Sequence, residues 1–176
     1  NNSDDARATG VGASGDQVGC NKQATGGVGP RDEIVPGPTE KLDYEVELGV
    51  VIETSAKNVS EADALNHVFG YFVANDVSAR DYQFHSQTMM MGKSFDTHGP
   101  IGPLIVTADE IPDPQTLDLL CFANGEQRQY SKHPNMIARL PQQIAYVPTA
   151  FPLEPGALTH TAPPPALGVA LTRPSF

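Results

Sequence analysis

Apolar and polar positions alternate most cleanly over Tyr44–Glu53, YEVELGVVIE, and this period of two predicts a β-strand. Side chains two apart on a strand share a face, so Glu45 and Glu47 lie on one side and Tyr44, Val46 and Leu48 on the other. Two like charges side by side on a half-buried sheet are unfavourable unless something compensates them. Spacing alone permits two accounts: the solvated face of an edge strand, or one wall of a cation site. Downstream, Ser60 followed by Glu61 and Asp63 predicts a capped helix running to a stop near Gly70. Tyr71–Val77 predicts a second strand, Ser78–Phe84 a short helix or loop, and Leu104–Thr107 a further short strand. Leu117–Ala123 and Glu126–Tyr130 flank Asn124-Gly125, the signature of a type I′ hairpin. Asp32–Val35 is a candidate short strand, and Asn135–Tyr146 a second helix despite Pro141. Short strands, few helices and frequent turns predict a mainly β fold with some α, in the α+β class.

Composition sharpens this picture at the two ends. Residues 1–30 are rich in Gly, Ser and Asn with no aromatic residue, so they bury little and read as loop. Residues 31–156 carry the strand and turn pattern of one domain, and residues 157–176 are Pro-rich without a period. Sixteen Gly and sixteen Pro in 176 residues argue against a helical bundle. A formal net charge of −10 argues against binding nucleic acid or an anionic membrane, since both need Lys and Arg against phosphate. The longest apolar runs, such as Leu48–Ile52, are far short of the ~20 residues that cross a bilayer. Two cysteines make no disulfide framework, and the first residues show no basic-apolar leader. A cytoplasmic protein is the expectation, or a mitochondrial one in a eukaryote.

Asp76, in YFVANDVSARD, falls near the end of the second predicted strand. If the two strands are neighbours, Glu45, Glu47 and Asp76 converge into an oxygen-only set suited to Mg²⁺, Mn²⁺ or Ca²⁺. Arg80 and Gln83 follow Asp76 by four and seven residues, on one side of a helical turn. An arginine there can grip a substrate carboxylate in a bidentate fork, or pair structurally with Asp81 or Glu61. Lys93, in GKSFD, offsets the charge of a carboxylate cluster and can donate to a substrate oxygen.

The segments DYEVELGVVI, GYFVANDVSARDYQ, GKSFDTHGPIGP, VTADEIPDP and NGE, in this order and spacing, resemble the fumarylacetoacetate hydrolase (FAH) family, and its smaller domain-containing members above all. The resemblance runs from about Gly29 to Gly156. It implies a mixed β-sandwich or roll of short strands with peripheral helices, like the C-terminal domain of that family. It implies that Glu45, Glu47 and Asp76 hold a divalent metal (Mg²⁺, Mn²⁺ or Ca²⁺). It also implies that Lys93 is catalytic, that Arg80, Gln83 and Thr161 bind substrate, and that Thr97 is a donor behind them. The implied activity is hydrolysis or lysis of a C–C bond in a small 2-oxo or 1,3-dioxo carboxylic acid of acylpyruvate, fumarylpyruvate or oxaloacetate type, through a metal-stabilised enolate. An enol/keto isomerase and a catalytically impaired metal-binding scaffold are the alternatives, and a homodimer is the implied assembly. Two departures stand out. The family's His/Glu lid dyad, in G-x-N-Y-x-x-H-x-x-E, has no counterpart, because no histidine precedes His67. Near the other end, the pattern T-G-T reads Thr159-His160-Thr161, with histidine in place of glycine. Both departures fall at the ends of the chain, and we read them as a fragment or as misassigned residues in preference to a degenerate member.

Overall fold

A computed structural model describes residues 19–132 and 138–161. Its centre is β3, Val46–Ile52, buried at all seven positions. Strand β3 pairs antiparallel with β4, Val68–Asn75, on one side and with β10, Leu158–His160, on the other. A short edge strand, β7 (Val106–Thr107), completes the order β10-β3-β4-β7. Burial on both faces follows from this central place, and it removes the edge-strand reading of the Glu45 and Glu47 pattern. Val46, Leu48, Val50 and Ile52 point into the main core with Tyr71, Leu119, Leu140, Ile144 and Leu153. The opposite face carries Glu47 and Gly49, then Val51 in a smaller cluster with Phe72 and Ala74. Each fully buried aliphatic chain of this kind contributes ~1.5–3 kcal/mol.

Around the central sheet lie three two-stranded pairings. Strand β1 (Gly27–Val28) runs parallel to β6 (Gly99–Pro100), and β2 (Leu42–Asp43) pairs with β5 (Ser78–Ala79). The hairpin β8–β9 spans Asp118–Ala123 and Glu126–Lys132. Asn124 and Gly125 both take positive φ, as a type I′ turn demands. Among the described residues, three short helices, α1 (Arg80–Gln83), α2 (Met90–Lys93) and α3 (Leu140–Tyr146), accompany the strands. The architecture is the expected mainly β, α+β fold of short strands.

Several boundaries differ from the sequence reading. Instead of a helix from Ser60, a turn leads to one 3₁₀ turn, Ala64–His67. Ser60 Oγ donates to Asp63 Oδ2 at 2.7 Å and accepts from Asp63 N, which closes a local turn where a helix would begin. Gly70 is no helix stop. It lies inside β4, where an added Cβ would meet the Val106 carbonyl oxygen at 2.4 Å, so glycine is what lets β7 approach. Asp32–Val35 forms no strand, and the Leu104–Thr107 strand shortens to its last two residues. The second helix begins at Leu140 with Pro141 in its first turn, where a missing N–H costs nothing. Residues 135–137 of its expected span lie outside the described residues.

Candidate metal centre

The chain leaves the ladder between β2 and β3, and this irregularity builds the site. Glu45 N donates to Asn75 Oδ1 at 3.1 Å, and Asp76 N donates to the Glu45 carbonyl at 2.8 Å. The backbone of Glu45 is thereby locked beside the end of β4, next to Asp76. Gln129 of β9, itself buried, accepts from Val46 N at 3.0 Å and fills the same gap. Glu47 follows two residues on, within β3. The result is that carboxylate oxygens of Glu45, Glu47 and Asp76 all lie within 4.8 Å of one another, and all three residues are buried.

Like charges this close inside a protein require counter-charges. Lys93, from the end of α2, places Nζ 2.8 Å from Glu45 Oε2 and 2.8 Å from Asp76 Oδ2. Arg80 places Nη2 2.6 Å from Glu45 Oε1 and 2.8 Å from Asp43 Oδ2, and donates through Nε to Asp43 and through Nη1 to Gln83 Oε1. Lys22 lies 2.9 Å from Asp76 Oδ1 and donates to the carbonyls of Val77 at 3.2 Å and His98 at 2.8 Å, and to that of Lys93. Asp76 Oδ1 accepts no well-directed hydrogen bond, so its tie to Lys22 is an ion pair. Glu47 faces His160, whose Nδ1 is 3.1 Å from Oε2.

Protonation follows these contacts. Burial strips water from Glu47 and pushes its carboxyl up to about 7, although the His160 hydrogen bond pulls the other way. Burial also acts to raise Asp76, but Lys93 and Lys22 outweigh it and hold the carboxyl below its usual range. For Lys93, burial is overcome by Glu45, Asp76 and Glu47, which drive the ammonium well above its ordinary value. Burial depresses His160, yet the Glu47 hydrogen bond and charge leave it raised.

The oxygen-only donor set and the close approach of three buried carboxylates fit a hard divalent cation. Glu45, Glu47 and Asp76 are the residues that would hold it. The structure brings Lys93, Arg80 and Gln83 to the same place, all buried. Arg80 is engaged by Asp43 and Glu45, not by the Asp81 or Glu61 that spacing offered. Thr161 is buried beside β3, where its hydroxyl accepts from Leu48 N at 3.1 Å. Thr97, at positive φ, accepts from Val35 N at 2.8 Å and anchors the segment before Pro36. Sequence reading missed three participants. Asp43 stood in plain sight two residues before Glu45, and Lys22 and His160 sat in segments judged by composition.

Fold and site together define an α+β protein assembled around a buried carboxylate centre. The chain belongs to the fumarylacetoacetate hydrolase family: the family model described as "Fumarylacetoacetate (FAA) hydrolase C-terminal" matches residues 6–169. A Burkholderia ambifaria protein with a provisional hydrolase name is 42% identical over 173 residues, covering 97% of this chain and 61% of the relative. Among solved structures, the fumarylacetoacetate hydrolase of psychrophilic Exiguobacterium antarcticum superposes with a TM-score of 0.84 at 36% identity, over 88% of this chain and 56% of that one. The 2-hydroxyhepta-2,4-diene-1,7-dioate isomerase of Mycobacterium marinum gives 0.78 at 35% identity, over 83% and 57%. The chain therefore spans about three fifths of the length of the curated relatives it matches. Among the described residues, no helix is long and apolar enough to cross a membrane.

Proposed function

We propose that this chain carries the metal centre of an enzyme that cleaves a C–C bond in a small 2-oxo or 1,3-dioxo carboxylic acid, of acylpyruvate, fumarylpyruvate or oxaloacetate type. The observation that carries the reading is the Lys93 ammonium bridging two of three clustered, buried carboxylates. Glu45, Glu47 and Asp76 would hold a divalent cation (Mg²⁺, Mn²⁺ or Ca²⁺), which would supply Lewis acidity to a bound 2-oxo acid.

The chain's own residues do the rest. Lys93, paired with carboxylates of Glu45 and Asp76 that raise its ammonium above the ordinary value, sets a positive charge toward oxygen atoms that gain negative charge. Arg80 ties Glu45 to Asp43 and holds that carboxylate in place. Gln83 is oriented by Arg80 through its carbonyl, while its Nε2 donates to the Met89 thioether at 3.5 Å. A thioether is a weak acceptor that a substrate oxygen readily displaces. In hydrolysis, the acyl carbon takes the hydroxyl of water and the departing carbon takes a proton. The similarity to a protein named as an isomerase supports a second reading, enol/keto isomerisation on the same centre.

The test is turnover of acylpyruvates, fumarylpyruvate and oxaloacetate with Mg²⁺ or Mn²⁺, with product analysis separating cleavage from isomerisation. Turnover that EDTA abolishes and Asp76→Asn removes supports the reading. Tight Mn²⁺ binding without turnover of any of these acids overturns it and leaves a metal-binding scaffold. A homodimer fits the family and is checked by light scattering.

A further inference from the structure

The three clustered carboxylates are not supported alike. Glu45 and Asp76 are held by Lys93, Arg80 and Lys22, whereas among the described residues the side-chain partner of Glu47 is His160. His160 is the last residue of β10 and lies level with Gly49 on β3, which in turn lies level with Phe72 on β4. This cross-strand row fixes the imidazole. A Cβ on Gly49 would come within 2.3 Å of the Phe72 ring, so glycine leaves the space that ring occupies. Phe72 then meets the imidazole edge-on, with centroids 6.3 Å apart and planes at 84°. Nδ1 of the ring approaches Glu47 Oε2 at 3.1 Å.

We infer that His160 is a positioning residue for the metal centre, its Nδ1–H holding the Glu47 carboxylate in the orientation that a divalent cation needs. The inference rests on the proposed metal role of Glu45, Glu47 and Asp76. It requires no change of charge on the imidazole, because the imidazolium and the neutral Nδ1–H tautomer both donate at this atom. A ligand carboxylate without such a partner samples several rotamers and gives up affinity when it is ordered, and loss of such supporting hydrogen bonds typically weakens metal binding 10–100-fold.

The experiment is Mn²⁺ titration of the intact chain, followed by the electron paramagnetic resonance signal of unbound Mn²⁺, in wild type, His160→Leu, His160→Asn and Asp76→Asn. Asparagine is chosen because its Nδ2 superposes on histidine Nδ1 and keeps the donor, while leucine keeps bulk and removes it. His160→Leu is expected to bind ~10–100-fold more weakly, and His160→Asn within about threefold of wild type. Wild-type affinity in His160→Leu overturns the inference, and so does an Asn variant as weak as the Leu variant, because packing alone would then be at work. If wild type and Asp76→Asn bind alike, the metal reading itself fails and takes the inference with it. A second measurement does not depend on the variants folding. In metal-free protein with ¹⁵N-labelled histidine, the His160 ring is expected to carry a proton on Nδ1, as the neutral tautomer or as the imidazolium, and a neutral Nε2–H tautomer overturns the assignment.

Discussion

Replacing Lys93 by methionine keeps the stem that packs under the site and removes one buried charge. The ammonium lies 2.8 Å from carboxylates of both Glu45 and Asp76, and its side chain is 4% exposed. Breaking a buried pair from one side typically costs ~3–5 kcal/mol, because the abandoned charge stays buried. Here Arg80 still holds Glu45 and Lys22 still holds Asp76, which places the expected loss near the lower end, ~3 kcal/mol. In a chain of this size each kcal/mol moves the melting temperature by ~2–4 °C, so Lys93→Met is expected to melt ~6–12 °C lower in EDTA. Divalent cation should reverse much of the loss. Binding to the native state at one hundred times its dissociation constant adds ~2.7 kcal/mol, and the variant no longer sets an ammonium against the ion. Calorimetric scans with EDTA and with excess Mn²⁺ measure both effects. Turnover should be lost while Mn²⁺ affinity rises. An unchanged melting temperature in EDTA would refute the charge argument, and a loss that Mn²⁺ does not restore would refute the shared site.

Gly49→Ala forces a Cβ into the Phe72 ring and is expected to destabilise by ~1–3 kcal/mol in urea titrations, with Phe72→Leu added in the same chain relieving part of the loss. Mn²⁺ affinity should climb with pH, because a proton on Glu47 competes with the ion. For a group titrating at about 7, the ionised fraction grows roughly tenfold between pH 6 and pH 8, and titrations at both values should differ by that factor. His98 is fully buried, donates through Nε2 to the Val35 carbonyl at 3.1 Å, and is depressed below its ordinary value of 6.5 chiefly by burial. The unfolded chain therefore takes up a proton that the native state refuses. The stability involved is complete above about 6.5 and is lost as pH falls toward the native value. His98→Gln, which keeps the Nε2 donor without the titration, should show a smaller fall in urea midpoint between pH 7.5 and 5.5 than wild type.

What the sequence disclosed about the site tracks how local each determinant is. Glu45 and Glu47 announced themselves by period, and Asp76 by its place at the end of the next strand, because β3 and β4 are neighbours in sequence and partners in space. The hairpin at Asn124-Gly125 was legible for the same reason: its turn chemistry lies in two residues. The predicted helix after Ser60 failed because a serine that caps a helix also closes a simple turn, and the β-prone run from Val68 joined β4 instead. Gly70 misled because glycine marks a helix end in sequence and a close backbone approach in structure, and only β7, more than thirty residues later, decides between them.

The counter-charges follow the opposite rule. Lys22 comes from a stretch whose composition promised only loop, and its ammonium is placed by three carbonyls from Val77, Lys93 and His98, none of them near it in sequence. His160 reaches Glu47 across a strand pairing of 113 residues' separation. Asp43 went unnoticed because its partner, Arg80, is assigned by the β2–β5 pairing and not by helical spacing. A buried acidic cluster demands cations from somewhere; Lys93 and Arg80 were legible in their own segments, but only long-range topology names Lys22 and His160. The same logic divides the labour within the centre. Glu45 and Asp76 are braced by fixed charges, while Glu47 depends on one hydrogen bond from a residue at the end of an edge strand. Substitutions at the charged braces should therefore act on folding first, and substitutions at His160 on metal binding first.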